Sequence, residues 1–192
     1  MDYEREWWGN CANTYSEETK QHLYAPRMGL TEIEGAGHAP TFDLGEASVM
    51  DIGSGPASLL LKCANGGALV VVEPCDYPPW VWSRYEQCGI LVARMLGEDL
   101  IRQGFAGKFD EAWIYNVLQH VDDPELVVRN AMNVARKLRL FEWTGIPAYD
   151  GHPHEILATD LRLWIGAPLT VEEIDESGAV GTAFFGVFVS PR

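Results

Sequence analysis

From residue 48 onward, short apolar runs alternate along the chain with amphipathic segments. The apolar runs are rich in β-branched residues and lack polar alternation, which is typical of strands buried on both faces of a sheet. They predict five strands, at 48–52, 68–73, 90–94, 109–115 and 138–143. Prolines and capping residues open the intervening segments, which predict helices at 56–64, 79–88, 98–103, 124–135 and 153–165. This alternation predicts a parallel sheet with right-handed crossovers.

The two ends of the chain depart from this alternation. No helical segment separates the apolar runs at 169–176 and 180–190, so they predict an antiparallel hairpin at the sheet edge. Near the N-terminus, Ser16 can cap a helix that Gly29 ends, and a glycine-rich loop follows at 34–40. We therefore expect one domain over residues 1–192, with a helical cover at 1–47 and an α/β core at 48–192.

Composition narrows the class of protein. A chain of 192 residues that is 47% hydrophobic suits a single domain with a full core. No apolar run approaches the roughly 18 residues needed to span a membrane, and the N-terminus resembles no targeting segment. The four cysteines form no C-x-x-C pair, which is typical of a reducing compartment without disulfides or a zinc site. We expect a cytoplasmic protein that holds no metal.

Charge argues against nucleic acid as a partner. The formal net charge is −14, and the densest basic group, residues 136–139, sits where it would complement the end of a helix. Proteins that grip a phosphate backbone usually carry a basic stripe instead.

The first candidate for chemistry is the segment D-I-G-S-G at 51–55. Asp51 ends a predicted strand, and Gly53 and Gly55 permit a tight turn that a ligand can approach closely. A helix beginning at Pro56 would offer unpaired N–H groups to a carboxylate. The dinucleotide pattern G-x-G-x-x-G is incomplete because Ser58 replaces the third glycine. Taken alone, the segment fits an ordinary strand-to-helix turn equally well.

Three further segments have the spacing of a nucleoside site. Glu73 follows the glycine turn by about twenty residues, where a carboxylate can accept both hydroxyls of a ribose. Glu98 or Asp99 can accept from an adenine amino group, although a helix cap explains them too. After the fourth strand, polar residues from Asn116 to His120 lie at the mouth of the predicted sheet.

Together these segments resemble the class I (Rossmann-like) S-adenosylmethionine (SAM) dependent methyltransferases of the small-molecule branch. The resemblance rests on D-I-G-S-G, V-V-V-E, G-E-D-L and F-D-E-A-W-I-Y-N-V-L-Q-H-V-D-D-P, and it covers residues 48–145. It implies an α/β fold with a mostly parallel seven-stranded sheet, an antiparallel C-terminal hairpin and helices on both faces. It also implies SAM as methyl donor and S-adenosylhomocysteine as product. The implied cofactor residues are Asp51, Gly53, Ser54, Gly55, Glu73, Pro74, Glu98, Asp99, Asn116, Val117 and Leu118.

The acceptor end is less clearly marked. His120, His152 and His154 follow predicted strands and titrate near neutrality, so they are candidate general bases. Packing within a loop, or capping of a helix, explains them as well. The aromatic-rich N-terminus is a candidate lid over the site, although it also fits a helix that only fills a groove. The candidate acceptor-binding residues are Trp7, Tyr15, Gln119, His120, Trp143 and His152.

The function that the sequence favours is methyl transfer from SAM to a small molecule by in-line displacement. A SAM- or nucleoside-binding module without catalysis and a protein methyltransferase that attracts basic peptides both stay open. A nicotinamide-dependent oxidoreductase fits less well, because the third glycine and a Tyr-x-x-x-Lys pair are missing. A monomer and a homodimer are equally compatible with the sequence.

Overall fold

A computed structural model describes residues 2–35, 40–168, 170–176 and 178–190. Part of the predicted glycine-rich loop, residues 36–39, lies outside the described residues, as does Leu169 at the start of the predicted hairpin. The helices are α1 (Asp2–Trp8), α2 (Tyr15–Arg27), α3 (Pro79–Gln87), α4 (Pro124–Val134) and α5 (Ala158–Ile165). The strands are β1 (Thr31–Glu32), β2 (Phe42–Asp43), β3 (Val49–Ile52), β4 (Cys63–Ala64), β5 (Leu69–Val72), β6 (Ile90–Ala93), β7 (Phe109–Tyr115), β8 (Ala135–Thr144), β9 (Thr170–Glu176) and β10 (Ala179–Val189).

The main sheet has seven strands in the order β6-β5-β3-β7-β8-β10-β9. The first five are parallel, whereas β10 pairs antiparallel with both β8 and β9. The chain therefore runs outward from β3 to β6 and then crosses back to β7 on the other side of β3. In open α/β sheets a ligand crevice forms at such a reversal, outside the carboxyl ends of the strands.

Two apolar layers cover the faces of this sheet. One contains Tyr24 of α2 and the adjoining Met28 with Val81 and Tyr85 of α3, and the other contains buried residues of α4 and α5. Neighbouring residues of β7 point alternately into the two layers, as the period of two in a strand requires. The predicted fold class is thus confirmed: a mostly parallel seven-stranded sheet with an antiparallel C-terminal hairpin and helices on both faces.

The helix predicted at 56–64 is wrong. The chain instead makes a turn, a short 3-10 segment (Leu59–Lys62) and the strand β4, which joins β1 and β2 in a small separate sheet. The Ser58 hydroxyl accepts from Leu60 N at 3.0 Å, and the hydroxyls of Tyr85 and Tyr115 accept from Ser58 N and Leu59 N. In a helix that began at Pro56, Leu59 N would donate to Gly55 O, which instead accepts from the Tyr85 hydroxyl, so the first helical bond is replaced.

Two other predicted helices are shorter than expected. The helix predicted at 153–165 begins only at Ala158, because residue 156 is tied to the end of β8 by a 2.9 Å bond from Gly145 N to Ile156 O. The helix predicted at 98–103 is a single 3-10 turn, Gly97–Asp99, followed by further turns. At the N-terminus, α1 precedes the predicted helix, which begins at Tyr15 with Thr14 rather than Ser16 as its cap residue.

None of the helices in the described part of the chain combines the length and apolarity needed to cross a membrane.

Candidate active site

A cavity of about 460 Å³ opens at the carboxyl ends of β3, β5 and β7, beneath α1. Its volume falls in the range usual for sites that bind small molecules. One end is walled by the 53–57 turn, Glu73 and the Gly97-Glu98 turn. The other end lies between α1, the start of α2 and the segments that follow β7 and β8.

Asp51 supports the glycine turn from below and does not line the cavity. Its carboxylate is fully buried and accepts from the Ser58 hydroxyl at 2.5 Å and the Tyr115 hydroxyl at 2.6 Å. Burial raises the pKa of Asp51 to about 7, although both hydrogen bonds favour its ionised form. Asp51 therefore shapes the turn through Ser58 and Tyr115, and its contact with a ligand stays a prediction.

The glycine turn has the backbone conformation that the sequence predicts. Gly53 and Gly55 have φ angles of +72° and +58°, which side chains larger than hydrogen disfavour. A Cβ at Gly53 would lie 2.1 Å from Val117 Cγ2, whereas a Cβ at Gly55 would project into open space. Gly53 is thus required by packing against the neighbouring loop, and Gly55 leaves room on the cavity side.

Glu73 is joined directly to the glycine turn. Its two carboxylate oxygens accept from Gly55 N at 2.8 Å and Cys75 N at 2.9 Å, and the residue lines the cavity while 4% exposed. Burial raises the pKa of Glu73, whereas the two backbone bonds oppose that shift. Each carboxylate oxygen keeps a free lone pair, so the group can still accept hydrogen bonds from a ligand.

Glu98 and Asp99 point in different directions. Glu98 lines the cavity, and its Oε1 accepts from Asp122 N at 3.0 Å and Asp123 N at 3.1 Å. Its Oε2 is buried without a hydrogen-bond partner among the described residues. Asp99 instead pairs with Arg102 at 2.7 Å on the surface. Of the two alternatives, only Glu98 is placed to accept from a ligand.

The segment after β7 forms the middle of the cavity. Asn116 adopts a φ of +54°, and its side chain accepts from Gln119 Nε2 at 3.1 Å. Val117 lines the cavity, whereas Leu118 is fully buried in the core beneath it. The backbone N–H groups of Val117 and Leu118 both donate to Glu142 Oε1, at 3.0 and 3.1 Å. Burial raises the pKa of Glu142 to about 8, although these two hydrogen bonds favour its ionised form and lower the pKa.

Two histidines meet at the end of the cavity that lies under α1. His120 Nδ1 lies 2.9 Å from Glu4 Oε1 and 2.8 Å from the Gly151 carbonyl oxygen. Burial opposes protonation of His120, but the hydrogen bond and the charge of Glu4, together with the Gly151 carbonyl and the charge of Glu142, outweigh it and raise the pKa. The His152 ring packs edge-on to His120 with centroids 4.5 Å apart. Burial, reinforced by the charge of His120, lowers the pKa of His152 to about 4, so this ring is neutral near pH 7.

The helix α1 closes the cavity from above. Tyr3, Glu4, Trp7 and Trp8 all line the cavity, and the Trp8 indole donates to Glu4 at 3.2 Å. The Tyr3 ring lies against Gly151, where an added Cβ would be 2.3 Å from a ring carbon. The first helix is therefore attached to the core by contacts with residues 120 and 151.

Most of the predicted site residues come together in this one cavity. The predicted cofactor residues that line it are Gly53, Ser54, Gly55, Glu73, Pro74, Glu98, Asn116 and Val117, and the predicted acceptor residues are Trp7, Gln119, His120, Trp143 and His152. Five predicted residues lie outside its lining: Asp51, Asp99, Leu118, Tyr15 and His154. Tyr15 is 78% exposed, because it starts α2 on the outer side of the helix.

The sequence predictions miss four residues of the site, and three of the four carry no sequence signal of their own. Tyr85 and Tyr115 hold the glycine turn through their hydroxyls, Glu142 holds the segment after β7, and Glu4 holds His120. A glutamate such as Glu142 within a buried strand is unusual, because carboxyl groups are rarely fully buried. That observation alone would have marked it. The other three have types common in helices and strands.

Comparison with known proteins gives a match at the level of structure. No family model and no curated protein matches the chain. A putative methyltransferase in complex with the Haloferax volcanii Trm112 methyltransferase activator superposes with a TM-score of 0.62 and 13% identity, over 100% of this chain and 98% of that one. Magnesium protoporphyrin IX methyltransferase (ChlM) from Synechocystis PCC 6803, solved with bound SAM, gives 0.60 and 15%, over 98% and 90%.

A third solved structure agrees with these two. A SAM-dependent methyltransferase from Thermotoga maritima, described as a possible histamine N-methyltransferase, has a TM-score of 0.58 and 14% identity, over 100% of this chain and 96% of that one. At such identities the likeness concerns the path of the backbone. The chain therefore has the Rossmann-like fold of the class I SAM-dependent methyltransferases.

Proposed function

We propose that this protein is a SAM-dependent methyltransferase that acts on a small-molecule acceptor. The observation that carries the proposal is the direct bond from Gly55 N to Glu73, which joins the glycine turn and the predicted ribose acid at one end of a single cavity. The other end of that cavity holds aromatic rings and two histidines under α1. A methyl donor at the first end and a methyl acceptor at the second would therefore lie next to each other.

The residues present fit the adenosyl group. Glu73 would accept the ribose hydroxyls, and the unpartnered Glu98 Oε2 would accept from the adenine amino group. The open space at Gly55 would admit the methionine end close to the backbone. One expectation changes: no helix begins at Pro56, and Ser58 N and Leu59 N already donate to tyrosine hydroxyls, so these groups are not offered to a carboxylate.

SAM would supply a methyl group bound to a sulfonium sulfur. The acceptor would attack the methyl carbon in line and displace the sulfur. The protein's part is to align the two partners and to exclude water. Asn116 and Val117 would form the wall beside the reacting centre, and Glu142 holds Val117 from behind. His120 and His152 are the candidate bases. His152 is neutral near pH 7, so a ring nitrogen can accept a hydrogen bond, but a pKa of about 4 makes it a weak base.

The cover and the setting complete the proposal. We assign residues 1–47 to a cover and 48–192 to the core of one domain, because α1 closes the cavity that the core builds. The four cysteines are free thiols, which suits a protein of the cytoplasm. The acidic chain favours a small-molecule acceptor over nucleic acid as partner.

Titration calorimetry with SAM, S-adenosylhomocysteine and NAD tests the cofactor assignment. We expect the first two to bind and NAD not to bind. Binding of NAD alone would refute the assignment. A methyl-labelled SAM assay against fractionated metabolites then separates turnover from silent binding, and labelled product only with basic peptides would favour the protein methyltransferase.

Replacing Glu73 tests the ribose contact. We expect Glu73→Gln to weaken SAM binding by about 1.5–3 kcal/mol, the loss typical of a hydrogen bond to a charged group. The matched control is Asp76→Asn in the same loop, whose side chain is 75% exposed and outside the cavity lining. Thermal unfolding without ligand shows whether each variant is folded. An unchanged SAM affinity in a folded Glu73→Gln variant would contradict the assigned pocket.

A further inference from the structure

The acceptor end of the cavity has aromatic walls. Tyr3, Trp7 and Trp8 descend from α1, and Trp143 and Tyr149 face them from the segment that ends β8 and follows it. Aromatic faces stack on flat rings and attract cations through their electron-rich surface. The shape and surface of this end therefore suit a molecule that carries an aromatic ring, a positive charge or both.

The charged groups around this end are mainly acidic. Glu4 and Glu17 line it together with Lys20 and His120, while Glu73, Glu98 and Asp122 line the remainder of the cavity. Among the described residues that line the cavity there is no arginine, the side chain that most often holds carboxylates and phosphates. An anionic acceptor would thus meet net repulsion in a chain whose charge is −14.

Of the two carboxylates at this end of the cavity, Glu17 has the weaker partners. Its Oε2 lies 3.5 Å from Lys20 Nζ and 3.5 Å from Asn116 Nδ2, both at the outer limit of hydrogen bonding. Glu4, by contrast, is bound closely by His120 at 2.9 Å. The Glu17 side chain is only 15% exposed, and Lys20 is 37% exposed, so solvent competes for the lysine. Glu17 therefore has room for a close N–H donor that enters the cavity next to Asn116.

We propose that the methyl acceptor is a small arylalkylamine, whose nitrogen donates a hydrogen bond to Glu17 while its ring lies among the aromatic side chains. This inference rests on the proposed methyltransferase function. The acceptor enters as an ammonium ion and loses one N–H proton to the Glu17 carboxylate, which passes it to water. The nitrogen lone pair so freed forms the new N–C bond as the C–S bond breaks and leaves its electron pair on sulfur. The product leaves as the methylated ammonium ion.

Matched sets of probe compounds test the acceptor class. With methyl-labelled SAM, we expect label to enter 2-phenylethylamine and tryptamine at least about tenfold faster than 2-phenylethanol, 3-phenylpropionate or hexylamine. Faster labelling of the alcohol or the carboxylate would overturn the proposal, as would the absence of labelled amine. If SAM binds but no amine is labelled, only the acceptor class fails. If SAM does not bind, the proposed function fails first.

A pair of neighbouring variants tests the role of Glu17. We expect Glu17→Gln to raise the KM for the amine about tenfold and to leave the SAM Kd within about twofold, because the residue lies at the acceptor end. The control is Glu18→Gln, one residue along α2, where the side chain accepts from Thr14 at 2.5 Å and does not line the cavity. Equal effects of the two variants on KM, or an effect of Glu17→Gln confined to SAM binding, would overturn the assignment.

Discussion

Two glycines that stand two positions apart in the same turn have different physical roles. Both have a positive φ, yet Gly53 is packed against Val117 and Gly55 faces open space beside the cavity. The D-I-G-S-G pattern predicts the turn but does not distinguish between the two positions. The distinction depends on which loop lies opposite, and only the folded chain brings Val117 there.

We expect Gly55→Ala to fold and to lose SAM binding. The positive φ costs an alanine about 1–2 kcal/mol, and the methyl group projects into the space that the proposed ligand would occupy. The matched control is Gly89→Ala, which has a φ of +73°, an equally open surrounding and a place outside the cavity lining. Calorimetry with S-adenosylhomocysteine should show a loss of about tenfold or more for Gly55→Ala alone. Equal affinity in the two variants would contradict the proposed position of the ligand.

Residue type and position at a strand end do not determine whether an acidic side chain points into the cavity. Asp51 and Glu73 each follow a buried strand, so each was expected at the ligand. Glu73 lines the cavity, but Asp51 does not, and its Oδ2 accepts from the hydroxyls of Ser58 and Tyr115. A strand end predicts that a side chain is near the crevice, whereas its direction depends on hydroxyl groups that come from other elements.

The first helix depends on the core for its place in the structure. With seven residues, α1 is too short to be a stable helix in isolation. Its attachment consists of the Glu4–His120 pair, the Tyr3 ring on Gly151 and the tryptophans that line the cavity. A helix with so few anchors can open and admit ligands without disturbing the sheet.

We expect Gly151→Ala to detach α1. The new methyl group would overlap the Tyr3 ring, which must move, while the backbone at this position needs no unusual φ. Dissociation of S-adenosylhomocysteine should become about tenfold faster, and amide exchange in residues 2–8 should increase. The double variant Gly151→Ala/Tyr3→Ala serves as control, because the clash is absent when the ring is removed. If the single and double variants release the ligand at the same rate as the parent protein, α1 is not a cover.

Element boundaries show where local pattern fails. The strands of the seven-stranded sheet and α4 lie where hydrophobic periodicity predicts them, since their packing faces are set by their own side chains. The predicted helix at 56–64 fails because Leu59 N donates to the Tyr115 hydroxyl and Gly55 O accepts from the Tyr85 hydroxyl, which replaces its first helical bond. The start of α5 shifts because Ile156 is tied to Gly145. Each failure results from a contact distant in sequence.

For the molecule as a whole, buried carboxyl groups link stability to pH. The pKa values of Asp51 and Glu142 are raised to about 7 and 8 by burial, whereas an unfolded chain ionises such groups near pH 4. Between these values the folded state binds more protons than the unfolded state. Their contribution to stability is therefore fully present below about pH 4 and is lost as pH rises from there toward 8.

We expect the difference in stability between the parent protein and Glu142→Gln to change with pH in the same direction. The glutamine is uncharged throughout and can still accept from Val117 N and Leu118 N. Urea unfolding at pH 5, 7 and 9 should show the parent losing stability relative to the variant as pH rises. A difference that is constant from pH 5 to 9 would mean that Glu142 does not titrate in this range.

The order of strands and helices, the parallel sheet with its final hairpin, and the glycine turn followed by an acid are all determined by local pattern in the chain. These features depend on side-chain periodicity and on backbone conformations that neighbouring residues set. Long-range packing determined the other features: Asp51 beneath the turn, Glu98 rather than Asp99 at the cavity, and Glu4 on His120. Which polar groups face one another across a cavity depends on elements distant in sequence. Hydrophobic periodicity is a local property and does not predict contacts between such elements.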